Sequence, residues 1–320
     1  MMKKILGTIV AVLALMAGCA APTAPTAPTS ADPAVTFGLT YIPDVQFAPV
    51  YVAKEKGYFA DAGIDVTLRH HGAQEALFGA LASGKEDVVF AGASEMLVAR
   101  STGTDVVNFA TLYQKYPVVV IVGKDSPIKS LEDLNGKTIG MPGKYGENYF
   151  AFLALKARGI HATPQFIGYT QTAALSTGKV DAVLGYANND AVSMSHAGFP
   201  VRTISLGDLP LISVGLGSMA QKVPASTQKA LVDALQKGAD FAAQHPQETL
   251  DIVTQYVPAL VDHAQRENAK NVLAQTMTLY QGGEFGGQDR QKWTKMTEFL
   301  EKSGILKNHI DATKAFVELK

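Results

Sequence analysis

The 320-residue chain has a single cysteine, Cys19, and a single tryptophan, Trp293. One cysteine excludes a disulfide framework and any cysteine-based zinc or iron–sulfur cluster. No charge of one sign dominates: 28 basic and 29 acidic residues leave a net charge of −1. That excludes a general polyanion-binding surface, and no nucleic acid is expected as a partner. No apolar run reaches the ~18–20 residues that a membrane-spanning helix needs. A Walker phosphate loop, a Gly-x-Ser-x-Gly elbow and a His-Glu-x-x-His pair are also missing from the sequence. Gly215-Leu-Gly-Ser-Met-Ala220 matches a dinucleotide fingerprint, but Pro224 interrupts the helix that should follow it. His70 and His71 adjoin at a predicted strand end, so their side chains point to opposite faces and share no metal. What remains is a chain with 47% hydrophobic and 18% charged residues, enough to bury a core in one large domain or two medium ones.

At the start, Lys3 and Lys4 precede an apolar stretch over 5–18 that is too short to span a membrane. This is the pattern of an export signal. Ala17 and Gly18 place small residues just before Cys19, which resembles a bacterial lipobox; Met16 departs from its commoner leucine. Residues 1–18 are therefore read as a lipoprotein signal peptide, with Cys19 lipidated. Residues 19–34 contain three Ala-Pro-Thr repeats and read as an extended tether, because proline locks φ and lacks an N–H. The expected location is outside the cytoplasm, lipid-anchored to the outer face of the cell membrane or periplasmic.

After residue 34, strand and helix signals alternate. Strands are expected over 35–41, 64–68, 87–91, 106–112 and 118–122, and helices over 48–59, 73–83 and 94–101. Residues 130–140 read as a small helix, a turn and a strand. Helices over 149–158 and 171–176 then alternate with strands over 165–167, 180–184 and 203–205. This alternation implies βαβ units and mostly parallel sheets. A strand over 211–217 leads into a helical C-terminal region, with helices over 226–245, 246–255, 262–280 and 289–303. The lone Trp293 falls in the last of these and reads as a helix-packing residue. The segments 123–127 and 211–218 are candidate crossings between two lobes. Lobe one would comprise 35–123 plus 218–320, and lobe two 128–212, with a ligand cleft between them.

Four segments carry a family resemblance. They are Tyr41-Ile-Pro-Asp-Val-Gln-Phe-Ala-Pro-Val-Tyr-Val-Ala-Lys-Glu-Lys-Gly-Tyr-Phe-Ala-Asp-Ala-Gly-Ile-Asp-Val66, Gly79-Ala-Leu-Ala-Ser-Gly-Lys-Glu-Asp-Val-Val89, Ile128-Lys-Ser-Leu-Glu-Asp-Leu-Asn-Gly-Lys-Thr-Ile-Gly140 and Gly178-Lys-Val-Asp-Ala-Val-Leu184. Together they resemble the solute-binding proteins of ATP-driven (ABC) importers, in the branch that carries thiamine-pyrimidine precursors, aliphatic sulfonates and riboflavin. The resemblance implies an α/β, two-lobed periplasmic-binding-protein fold of the Venus-flytrap kind (type II), with two crossover strands and C-terminal helices. It implies a monomer that closes on one small molecule and docks on a permease and its ATPase, with no cofactor, no metal and no catalytic residues. Three further segments look most like the riboflavin-binding members: His71-Gly-Ala-Gln-Glu-Ala-Leu-Phe78, Tyr145-Gly-Glu-Asn-Tyr149 and Tyr186-Ala-Asn-Asn-Asp190. Thiamine-pyrimidine binders come second. A eukaryotic thiamine-pyrimidine synthase resembles the same fold, but it carries a cysteine-rich iron-binding motif that a chain with only Cys19 cannot supply.

A heteroaromatic ligand needs ring faces and amide-type donors and acceptors. The turn after the first strand offers Tyr41, Gln46 and Phe47, and the next loop offers Gln74. Ser94 and Glu95 open a helix, and Tyr113 and Tyr116 lie near the first crossing. The turn into the helix after 140 brings Tyr145, Glu147 and Asn148. Tyr186, Asn188 and Asn189 follow the strand over 180–184, at the end where a parallel sheet presents ligand groups. Other roles stay open at this point. Tyr41 and Phe47 suit core packing equally well, Gln74 a cap or open surface, Ser94 and Glu95 a helix cap, and the asparagine pair an N-cap cluster. A sulfonate would call for arginine, and none of Arg69, Arg100, Arg158, Arg202, Arg266 and Arg290 falls in these segments.

Overall fold

The computed structural model describes residues 33–72, 75–144 and 146–319. The expected signal peptide and nearly all of the expected tether, Cys19 included, lie outside them. So do Gln74 and Tyr145.

In the first lobe, β1 (Ala34–Leu39) leads through α1 (Ala48–Glu55) and α2 (Tyr58–Asp61) to β2 (Asp65–His70). Next come α3 (Gly79–Ala82), β3 (Val88–Gly92), α4 (Ala93–Ser101) and β4 (Val106–Thr111). The chain then passes to the second lobe, with β5 (Val118–Gly123), β6 (Thr138–Met141), α5 (Gly146–Ala157), β7 (Thr163–Phe166), α6 (Gln171–Ser176), β8 (Ala182–Tyr186), α7 (Asp190–His196) and β9 (Val201–Ile204). It returns as β10 (Val214–Met219) and continues into α8 (Ala225–Gln244), α9 (Pro246–Thr254), α10 (His263–Leu279) and α11 (Arg290–Lys302).

The strand order is β2-β1-β3-β10-β4 in one sheet and β7-β6-β8-β5-β9 in the other. β1 and β6 pair in parallel with their neighbours, whereas β10 and β5 run antiparallel to theirs. The sheets are therefore mixed, not mostly parallel as the alternation of elements suggests. Topology explains the difference. The parallel strands of each lobe run toward the other lobe, so a strand arriving directly from there must run the opposite way. β5 pairs with β8 and β9, which places 118–123 in the second sheet and not in the first. The passages between sheets are consequently 112–117 and 205–213, rather than 123–127 and 211–218. The break that marks the first passage is Gln114-Lys115-Tyr116-Pro117, between two apolar strands.

Phe37, Leu39, Tyr51, Phe109 and Leu216 are fully buried in the first lobe, whose core also takes in α8, α9 and α10. Val120, Ile139, Phe152 and Leu184 form the second core. Burying a large apolar side chain contributes about 1.5–3 kcal/mol, so each lobe has its own driving force to fold. α1 and α8 approach closely at Gly238, where a Cβ would overlap the Pro49 carbonyl oxygen. The expected helix over 48–59 is broken at Gly57, whose φ of 77° leaves helical space. Of the expected helix over 73–83, residues 73 and 74 lie outside the described ones, and among the rest only α3 is helical; Glu75 lies 2.5 Å from Arg69 and Leu77 lines the cleft. Trp293 is fully buried, stacked on Phe316 at 5.3 Å, and its indole N–H donates to Gln288 at 2.9 Å, as its helix-packing reading expects.

Candidate ligand-binding cleft

A cleft of about 140 Å³ lies where strand ends of the two sheets face each other. The end of β1 supplies Thr40 and Tyr41, and a short 3-10 turn capped by Asp44 supplies Gln46 and Phe47. The end of β3 supplies Phe90, Ala91 and Gly92, with Glu95 following in α4. From the second sheet come Pro142 after β6, Glu147 and Asn148 in α5, Tyr169 and Gln171 after β7, Tyr186 at the end of β8, and Asn189 and Asp190 after it. This is the geometry expected of open sheets, in which ligand groups collect beyond the carboxyl ends of parallel strands. A larger hollow of about 510 Å³ lies along residues 208–213 and 282–288. It is lined by passage and turn segments and lacks the convergent strand ends of the first, so the smaller cleft is the candidate.

Ring faces come from both lobes. Tyr41 and Tyr169 meet edge to face with centroids 4.9 Å apart. Phe47 stands 5.6 Å from Phe90 and 5.6 Å from His70, and Tyr113 is 5.9 Å from Phe90. Phe47 is buried in the core and also lines the cleft. Amides stand beside the rings. The Asn148 side chain donates to the Leu184 carbonyl at 2.8 Å, which fixes its orientation. Asn189 lines the cleft and reaches Asp44 across it at 3.4 Å.

Carboxyl groups form the remaining polar wall. Glu95 accepts the Gly92 N–H at 2.6 Å. Glu147 accepts from the Ser94 hydroxyl at 2.7 Å and from the Tyr116 hydroxyl at 2.5 Å. Gly92 has to be glycine here, because a Cβ would overlap the Glu147 carboxylate. Burial pushes both glutamates above the usual carboxylate range, and for Glu95 the neighbouring Glu147 charge adds to it. Asp190 is raised to about 6, chiefly by burial; the Tyr186 N–H at 2.7 Å opposes that rise, and the charge of Asp44 adds a little.

Of the expected residues, Tyr41, Gln46, Phe47, Glu95, Tyr113, Glu147, Asn148, Tyr186 and Asn189 line this cleft. Three others stand apart from it. Ser94 is fully buried and serves Glu147, and Tyr116 holds Glu147 from behind. Asn188 is 2% exposed and bonds Thr276 at 2.8 Å and Gln46 at 3.2 Å, joining the lobes instead of facing the cleft. Tyr169 and Gln171, which sequence reasoning misses, also line the cleft; Gly168-Tyr169-Thr170-Gln171 follows β7 and enters α6, so the same strand-end rule points to it. His71 opens one of the riboflavin-like segments but is not among the expected ligand contacts. It lines the cleft, with Nε2 2.8 Å from Glu86. His70 instead meets the Tyr51 hydroxyl at 3.0 Å.

Residues 44–249 match the family model described as NMT1/THI5 like. A riboflavin-binding protein, RibY of Chloroflexus aurantiacus, is 34% identical over 88% of this chain and 84% of its own. A formylaminopyrimidine-binding protein of Halalkalibacterium halodurans is 26% identical over 87% of this chain and 88% of its own. Among solved structures, the periplasmic aliphatic sulphonate-binding protein SsuA of Escherichia coli superposes with a TM-score of 0.71 at 14% identity, over 88% of this chain and 97% of that one. That likeness establishes the two-lobed periplasmic-binding-protein fold.

Proposed function

We propose that this chain, which belongs to the NMT1/THI5-like family, is the substrate-binding component of an ATP-driven importer. It captures a small flat heteroaromatic nutrient, riboflavin before others, and delivers it to a membrane permease and its ATPase. The observation that carries this reading is the make-up of the cleft. Tyr41, Phe47 and Tyr169 offer ring faces, and Gln46, Asn148, Gln171 and Asn189 offer amides. Among the described lining residues there is no lysine or arginine. Such a wall suits a ring of alternating carbonyls and nitrogens and has nothing to neutralise a sulfonate. The likeness to the riboflavin-binding RibY supports the choice of ring. The formylaminopyrimidine-binding relative keeps a thiamine-pyrimidine precursor as the second reading. The role is binding without catalysis or cofactor, performed by a monomer.

Ligand contacts from both lobes favour the closed state by their differential affinity. The signal-like N-terminus and Cys19 support a location outside the cytoplasm with a lipid anchor; Cys19→Ser is expected to shift the protein from the membrane fraction to the soluble one. Calorimetry with riboflavin, the thiamine pyrimidine and an alkyl sulfonate tests the ligand. Riboflavin is expected to bind tightest. Binding of the pyrimidine alone would replace riboflavin as the cargo, and tightest binding of the sulfonate would overturn the reading of an arginine-free cleft.

A further inference from the structure

Four carboxyl groups, those of Glu75, Glu95, Glu147 and Asp190, line the cleft, with no lysine or arginine among its described lining residues. The nearby basic side chains are already engaged. Arg69 has Nη2 2.5 Å from Glu75 and Nη1 2.6 Å from Glu86. His71 has Nε2 2.8 Å from the same Glu86. Helix N-termini often attract anions, but where α4 and α5 open on this cleft the chain's own carboxyl groups already stand. At the start of α4, the Gly92 N–H is taken by Glu95. Glu147, in the first turn of α5, bonds Ser94 in the first turn of α4 from the opposite lobe and leaves no room for a Cβ at Gly92. The chain thus places its own carboxylates where an anionic ligand group would otherwise find donors.

We propose that Glu95, Glu147 and Asp190 are specificity-determining residues that make the cleft refuse anions, so that a free heteroaromatic alcohol is bound and its phosphate monoester is excluded. The proposal rests on the reading of the cleft as a site for a flat heteroaromatic. A phosphate monoester carries about −1.5 to −2 charges at neutral pH. Inside a closed, low-dielectric cleft it would meet acidic groups from both lobes, with no guanidinium or ammonium to offset its charge; Asp190, raised to about 6, is ionised at neutral pH, and Glu147 and Glu95, pushed higher by burial, add their charge as pH rises toward 8. Rejection here comes from repulsion built into the wall, and a contact to the ring is not needed for it.

The test is calorimetry at fixed ionic strength and pH 8 on two matched pairs: riboflavin with flavin mononucleotide, and the thiamine pyrimidine alcohol with its phosphate. In the wild-type protein, the ring that binds is expected to bind at least about a hundredfold more tightly as the free alcohol than as the ester. In Glu147→Gln and Asp190→Asn that ratio is expected to narrow by about tenfold in at least one variant. Equal or tighter binding of the ester by the wild-type protein would overturn the proposal without any variant having to fold. A ratio untouched by both substitutions in folded protein would overturn the role of these residues. Inert riboflavin, with the pyrimidine bound in preference to its phosphate, would remove the riboflavin assignment and support the exclusion of anions.

Discussion

Replacing Asn188 with alanine separates a ligand contact from a contact that holds the lobes together. The side chain is 2% exposed, and its Nδ2 reaches Thr276 Oγ1 at 2.8 Å and Gln46 Oε1 at 3.2 Å. Thr276 lies in α10 and Gln46 in the turn after β1, so both bonds join the second lobe to the first. Each buried hydrogen bond contributes about 0.5–1.5 kcal/mol net. Against that, Asn188 Oδ1 is buried without a partner, and deleting it relieves part of the desolvation cost. The closed state should therefore lose about 1–2 kcal/mol, which is roughly a 5–30-fold loss of affinity. Because Asn188 does not line the cleft, the open protein should meet its ligand at an unchanged rate, and the loss should appear in dissociation. Stopped-flow quenching of flavin fluorescence reads both rates. An unchanged dissociation rate with a slowed association rate would refute the assignment of Asn188 to the lobe contact and return it to ligand recognition.

Tyr169 is 38% exposed and stands edge to face with Tyr41, so Tyr169→Ala should weaken ligand binding by about 0.5–1.5 kcal/mol in calorimetry while barely moving the thermal midpoint. Asp190, raised from 3.8 to about 6, binds more protons in the folded than in the unfolded state between those values, so its contribution to stability is greatest below about pH 4 and is lost as pH rises through 6. Allowing for its partial exposure, the loss is about 2 kcal/mol; denaturant melts of the wild type and Asp190→Asn at pH 4.5 and 7 should show a flatter profile for the variant. Gly238→Ala should gain up to about 1 kcal/mol of helix propensity in α8 but lose about 1–3 kcal/mol to the clash with the Pro49 carbonyl, for a net fall in the melting midpoint.

The boundary between what could and could not be read in the chain runs between neighbouring residues. Periodicity located α6 over 171–176 to the residue, and the strand-end rule brought Tyr186 and Asn189 to the cleft. Period-2 alternation along a strand says which face a side chain takes. It says nothing about a loop, where Asn188 turns to Thr276 and Asn189 remains in the cleft. The same limit governs the direction of β5. Its apolar run predicts a strand, but whether that strand extends the first sheet or opens the second depends on partners at β8 and β9, more than sixty residues downstream. Ser94 and Glu147 are 53 positions apart, and nothing local to either residue signals that one will bond the other across a cleft. Composition does carry one trace of that contact. A buried carboxylate requires donors, so a glutamate buried in the first turn of α5 has to find a hydroxyl or an N–H elsewhere. Here it finds Tyr116 in the passage between the lobes and Ser94 in the other lobe, and that pairing holds Glu147 in the wall of the cleft.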